Sequence, residues 1–156
     1  KISIRAGEEL YTADLYWQQD RQDLNLRLIA PFAQGATQFS GNDKDGYRVL
    51  TEQGEQIDVD SPESVTQHAF GVSLPFTELK SWIKGYPDRH QPVWQAHFNE
   101  DNRLHQFQQN GWQIKILKYR RVGQRLLPAK LFLSRLSDDL SEQKVDVRLI
   151  LRRWVL

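Results

Sequence analysis

Apolar residues recur at every second position in short stretches, separated again and again by glycine, asparagine or aspartate, and that pattern leaves few folds open. Ile2/Ile4/Ala6, Tyr11/Ala13/Leu15/Trp17 and Leu24/Leu26/Leu28 each give one apolar face, because side chains along a strand alternate between its two sides. Ala6-Gly7-Glu8-Glu9 and Asp20-Arg21-Gln22 interrupt these runs, and Asn42-Asp43-Lys44-Asp45-Gly46 and Gln53-Gly54 punctuate the strands that follow. Residues 1–59 therefore read as an antiparallel meander.

The period changes after Val59. Ser61-Pro62-Glu63 offers an N-cap, a first-turn proline and an acid near a helix N-terminus, and so opens a helix running to about Phe70 before Gly71. A second helix is expected from Pro75 or Phe76 to Lys84. Phe76, Leu79, Trp82 and Ile83 form its apolar stripe, Gly85 stands where a C′ residue belongs, and Tyr86-Pro87 ends it. Strand alternation returns in Trp94/Ala96/Phe98, then Trp112/Ile114/Ile116 after the hairpin signal Asn110-Gly111, then Leu131/Leu133 and Val145/Val147/Leu149/Leu151. The reading is α+β, about eleven antiparallel strands with two helices inserted as one block. A meander this long with one apolar face must curl around a cover, and the helical block is that cover. Such an arrangement can enclose an apolar cavity, with the five tryptophans lining it or serving as plain core.

At 156 residues the chain fits one domain, residues 1–156, large enough to bury a core without disulfides. No apolar run approaches the roughly 18 residues of a membrane-spanning helix. The chain has neither Cys nor Met and opens on Lys1-Ile2-Ser3-Ile4, already in strand alternation, so a preceding N-terminal piece is expected. The net charge of +1 is unevenly divided. Residues 1–110 hold 10 Lys/Arg against 16 Asp/Glu, a balance of −6, and residues 111–156 hold 11 against 4, a balance of +7. That asymmetry points to an acidic partner or anionic surface near the C-terminal strands, or to edge cations that keep the sheet soluble.

Chemistry is sparse. His68, His90, His97 and His105 show no metal-ligand spacing, and without cysteine there is no thiolate site. No Gly-x-Ser-x-Gly elbow, phosphate loop or dinucleotide fingerprint is present. Asp138-Asp139 reads as a solvated turn. Lys115, Lys118, Arg120 and Arg121 lie near Trp112 and Tyr119 as in an oligonucleotide-binding barrel, but Trp112 shares a strand face with Ile114 and Ile116 and so points inward. Neither an enzyme, a metal, a cofactor nor a nucleic-acid partner is expected. The odd feature is Pro31-Phe32-Ala33-Gln34-Gly35, a connection between strands that carries a phenylalanine where a polar turn residue is usual. Phe32 either folds back onto the core or enters a membrane or partner.

Four segments in order give the chain a family likeness: Tyr16-Trp17-Gln18-Gln19; Leu26-Arg27-Leu28-Ile29-Ala30-Pro31-Phe32-Ala33-Gln34-Gly35-Ala36; Leu74-Pro75 with Leu79 and Trp82-Ile83-Lys84-Gly85-Tyr86-Pro87; and Leu127-Pro128-Ala129-Lys130-Leu131 leading to Val147-Arg148-Leu149-Ile150-Leu151-Arg152-Arg153-Trp154-Val155-Leu156. Together they resemble LolB, the outer-membrane receptor family of the Gram-negative lipoprotein-localisation pathway. The resemblance implies an unclosed antiparallel β-barrel wrapped around a helical lid over an apolar cavity. It implies a monomer that takes lipoproteins from the periplasmic carrier LolA, holds their acyl chains and places them in the inner leaflet of the outer membrane, with outer-membrane phospholipid as a further partner.

On this resemblance the acyl-chain set is Trp17, Leu26, Leu28, Phe39, Trp82, Ile83, Trp94, Phe98, Trp112, Ile114, Val147 and Leu149. Pro31, Phe32, Ala33, Gln34 and Gly35 become the membrane-insertion loop, with Phe32-Ala33 where the family tends to read Leu-Gly. Independently of the resemblance, the basic C-terminal region makes Lys115, Lys118, Arg120, Arg121 and Arg125 an expected contact for an acidic carrier or anionic headgroups. LolB precursors carry a signal peptide, a lipidated cysteine that anchors them at the periplasmic face of the outer membrane, and a helix before the first strand. The rival expectation is a lipocalin-like periplasmic carrier of a small hydrophobic ligand.

Overall fold

A computed structural model describes residues 1–30, 35–137 and 142–155. Its strands are β1 (Ile2–Ala6), β2 (Glu9–Asp20), β3 (Asp23–Ile29), β4 (Ala36–Asn42), β5 (Gly46–Leu50), β6 (Gln56–Val59), β7 (Trp94–Phe98), β8 (Leu104–Gln109), β9 (Trp112–Val122), β10 (Arg125–Arg135) and β11 (Val145–Ile150), with helices α1 (Pro62–Phe70) and α2 (Phe76–Trp82) between β6 and β7. The strand order β6-β5-β4-β3-β2-β1-β11-β10-β9-β8-β7 is linear, so the sheet is unclosed. The expected eleven strands and two helices are thus present. Asp138 and Asp139 lie outside the described residues.

The chain forms two compact units. One comprises Tyr11–Phe76 with Ile2; the other comprises Lys1, Ser3–Leu10 and Thr77–Leu156. In the first, antiparallel register lines up Trp17, Leu26, Phe39, Val49 and Ile57 as one row across β2 to β6. Directly opposed residues share a face, and this row is the apolar one. On the opposite face Asn25, Ser40, Arg48 and Asp58 align, and Arg48 Nε donates to Asp58 Oδ1 at 3.2 Å. A neighbouring row brings Gly41 against Tyr47. Gly41 has φ +148, and a Cβ there would meet the Gly46 carbonyl oxygen at 2.2 Å and Tyr47 Cα at 2.7 Å, so only glycine fits this close pairing. Beside it Phe39 and Tyr47 stack, 5.1 Å between ring centres.

Helix α1 forms where its caps dictate. Ser61 is extended (φ −153, ψ 159) and accepts from the Ser64 N–H, Pro62 occupies the first turn, and Gly71 ends the helix at φ 67 with its N–H donating to the Gln67 carbonyl. Thr66 is buried. Its hydroxyl donates to the Glu63 carbonyl at 3.1 Å and accepts from the Leu74 N–H at 2.9 Å, tying the segment after the helix back onto it. Phe70 then meets Tyr11 and Phe76 meets Trp17, with ring centres 5.6 and 5.4 Å apart.

In the second unit, Phe107, Ile114, Leu133 and Val147 form one buried row and Ile116, Leu131 and Leu149 the next. The β8–β9 hairpin turns on Asn110 and Gly111, both at positive φ (48 and 74), as a two-residue type I′ turn requires. Helix α2 ends at Trp82, short of the expected Lys84. Lys84 and Gly85 N–H groups donate to the Ser81 and Trp82 carbonyls three residues back, a tighter turn than the α-helix continues.

A single buried amide fixes α2 to the strands. Gln109 Oε1 accepts from the Trp82 indole N–H and the Asp88 N–H, each at 2.8 Å, while its Nε2 donates to the Asp88 and Gln91 carbonyls at 2.7 and 2.9 Å. Trp82 itself is wholly buried and meets Phe107 edge to face, ring centres 6.1 Å apart. Asn110 Nδ2 adds a 2.6 Å bond to Glu78 Oε1 of α2.

Two stability predictions arise here. Gln109→Leu leaves the indole N–H and the Asp88 N–H buried without acceptors, at about 1–3 kcal/mol each; urea unfolding is expected to lose about 3–5 kcal/mol in total, and a loss under about 1 kcal/mol would remove the amide from its central place. The Tyr47 hydroxyl donates to Asp43 Oδ1 at 2.5 Å. Burial first, then that hydrogen bond and the charges of Asp43 and Glu63, raise its pKa well above the ordinary tyrosine value. Above about pH 10 the unfolded chain therefore releases a proton the native state keeps, and stability falls with rising pH by up to about 1.4 kcal/mol per pH unit. Denaturant titrations from neutral pH to about pH 11 should show this decline, flattened in Tyr47→Phe.

Candidate functional site

An open cleft of about 550 Å³ lies in the first unit where α1 follows β6. Only Asp60 separates the end of β6 from the capping Ser61, so the helix is set directly beside its strand. Val49, Ile57 and Val59 contribute from β5 and β6, and Ser61, Glu63, Ser64, Gln67, His68 and Ser73 contribute from α1 and its flanks. Branched apolar side chains thus meet hydroxyl, amide and ionisable ones. Such a lining suits an amphiphile, with apolar carbon against the valines and isoleucine and a polar group near the helix. Sequence reasoning missed these residues, although Tyr47/Val49 and Ile57/Val59 carry the period-two signal that marks them.

None of the twelve residues expected to hold acyl chains lines this cleft. In the first unit Leu26, Leu28 and Phe39 are buried and Trp17 half-buried; in the second Trp82, Ile83, Trp112, Ile114, Val147 and Leu149 are buried. Trp94 and Phe98 depart from this set, at 65% and 60% exposure. For Trp94 the cause is irregular pairing of the edge strand β7, where register shifts flank His97 and Gln95 sits at φ 48, whereas Phe98 pairs with buried Leu104 and is exposed like every other residue of this edge strand. Trp94 pairs with Gln108, which pairs with Gln113, and this puts it on the sheet face opposite Phe107, Trp112 and Ile114. The expected alternation Trp94/Ala96/Phe98 is therefore corrected: the bulge breaks it.

Of the expected insertion loop, Pro31, Phe32, Ala33 and Gln34 lie outside the described residues. Its base is defined. β3 and β4 pair as far as Ile29 and Ala36, and the Ala30 N–H donates to the Gly35 carbonyl at 3.2 Å. Gly35 has φ +109, and a Cβ there would lie 1.5 Å from Glu52 Oε2, so the position requires glycine.

The five basic residues divide. Lys115, Lys118 and Arg120 take the β9 face turned away from buried Ile114 and Ile116, whereas Arg121 and Arg125 stand exposed near the β9–β10 turn. Arg120 donates to the Arg152 carbonyl. Between the faces, Tyr119 donates to the Leu104 carbonyl at 2.6 Å with Arg103 over its ring. Burial raises the phenol's pKa, and the Arg103 charge works against that rise.

Among the described residues no three His, Asp or Glu side chains gather as a metal site, and no helix is long and apolar enough to cross a membrane. A family model described as outer membrane lipoprotein LolB matches residues 1–154. The outer-membrane lipoprotein LolB of Nitrosococcus oceani is 29% identical over 156 residues, covering all of this chain and 74% of that protein. Those of Pseudomonas syringae pv. syringae and Pseudomonas aeruginosa are 29% and 28% identical, each over 99% of this chain and 71% of the relative. With a match that runs through both compact units and all eleven strands, this chain belongs to the LolB family.

Proposed function

We propose that the chain is the lipoprotein-accepting part of an outer-membrane receptor: it takes lipoproteins from the periplasmic carrier LolA, shelters their acyl chains, and delivers them to the inner leaflet of the outer membrane. The observation that carries this reading is the family match over residues 1–154. The apolar inner rows described above supply the chemistry it needs. Each buried methylene of an acyl chain is worth about 0.8 kcal/mol, so a multiply acylated protein moves only between apolar sites. A receptor that binds better than the carrier, and a bilayer that binds better than the receptor, drive transfer without nucleotide or covalent chemistry.

In this reading Trp17, Leu26, Leu28, Phe39, Trp82, Ile83, Trp112, Ile114, Val147 and Leu149 face the acyl chains, and Phe32 enters the bilayer during delivery. Burying one phenylalanine yields about 1.5–3 kcal/mol. That is enough to bias a release step and too little to tether a protein.

Mixing this chain with lipoprotein-loaded carrier, followed by affinity separation, is expected to move lipoprotein onto it. Absence of transfer where another LolB-family receptor accepts the same cargo would sink the receptor reading, and a small lipid retained instead at one per chain would favour a lipocalin-like carrier. Phe32→Glu should still take up lipoprotein yet deliver it to vesicles at least about tenfold more slowly, since about 1.4 kcal/mol is tenfold. An unfolded variant would place Phe32 in the core instead.

A further inference from the structure

The sheet face opposite the buried rows of β9, β10 and β11 is basic in a way the linear sequence does not display. Lys115 pairs with Phe132 and Phe132 with Arg148, one row across three strands. A register shift between Lys130 and Leu131 then sets Lys118 directly against Lys130 on that same face, and Arg120 follows two residues along β9. Like charges in direct opposition destabilise a strand pair. Among the described residues none of these five cations forms an ion pair, the pairs present being Arg48–Asp58 and Lys144–Asp146. The acid on this face, Asp146, is already engaged, accepting from Ser134 Oγ at 2.7 Å with Lys144 Nζ 3.7 Å away.

We infer that this face binds anionic phospholipid headgroups and lays the second unit against a membrane surface. The inference rests on the proposed reading that the chain works at a membrane. Charge complementarity calls for an anion, since among the described residues no carboxylate pairs with Lys118 or Lys130. The distribution favours lipid over an acidic protein: the cations are spread over three strands with half-exposed Phe132 among them and Leu117 exposed at the bulge. Lysine is depleted at the cores of protein interfaces, whereas a layer of mobile headgroups satisfies scattered lysines and arginines wherever they stand.

Vesicle flotation with the unmodified chain tests this without any lipoprotein. Vesicles of phosphatidylethanolamine with about 30% phosphatidylglycerol are expected to carry the chain at low salt, vesicles of phosphatidylcholine to leave it behind, and about 500 mM NaCl to release it. The double variant Lys118→Glu/Lys130→Glu should lower binding to the anionic vesicles at least about tenfold, with native circular dichroism. Should that variant fail to fold, Lys118→Gln/Lys130→Gln and the salt titration of the unmodified chain decide the matter. Equal binding to both vesicle types, indifference to salt, or wild-type binding by a folded variant would each overturn the inference. So would salt-sensitive binding to an acidic carrier without binding to anionic vesicles, which assigns the face to a protein. A chain that accepts lipoprotein but ignores anionic vesicles refutes this inference alone; one that floats with them yet accepts no lipoprotein refutes the receptor reading alone.

Discussion

One-sided burial governs the sheet. Because side chains alternate with a period of two, sliding any strand by a single residue would exchange its buried and exposed sets. The row Trp17-Leu26-Phe39-Val49-Ile57 and the row Phe107-Ile114-Leu133-Val147 therefore do more than fill space. They lock each strand to its neighbours, and tight points such as Gly41 under Tyr47 follow from keeping that register where the backbones crowd. Where register breaks, at β7 and at the Pro128–Leu131 stretch of β10, side chains change face. Both places are surfaces with unusual contents, an exposed tryptophan in one and opposed lysines in the other.

Apolar rows alone would leave α2 free to slide, since dispersion contacts have little directional preference. Gln109 removes that freedom. Its amide uses both donors and accepts two bonds, and each partner lies on a different part of the chain: the indole of α2, and the backbone at Asp88 and Gln91. A fully satisfied buried amide adds modest net stability but makes every misaligned alternative expensive, because four polar groups would lose partners together.

Much of this was legible in the residues. Strands announced themselves through alternation and turn residues, α1 through Ser61-Pro62-Glu63 and Gly71, and the β8–β9 hairpin through Asn110-Gly111. What escaped were features set by tertiary pairing. Nothing distinguishes Gln109 from Gln106 and Gln108 until the register shows which one points inward. The β7 bulge is hidden because glutamine at position 95 gives no sign of positive φ. The +7 balance of residues 111–156 was countable, but the placing of Lys118 against Lys130 on one face depends on a register shift within β9 and β10. Likewise the cleft residues Val49, Ile57 and Val59 acquire meaning only once α1 lies beside them.

The packing of the inner rows bears on how such a receptor, as proposed, could let go of its cargo. Phe39, Trp82, Ile114 and Leu149 are each at most 1% exposed. In either unit an acyl chain entering beside one of them must part the side chains packed there, so part of the roughly 0.8 kcal/mol gained per methylene is spent reopening that packing. Net affinity is then well below that of a rigid, preformed void of the same lining. For a storage protein this would be a defect. For an intermediate station it sets the needed order, because a bilayer accepts the same methylenes with no packed core to reopen, and the difference alone carries cargo outward.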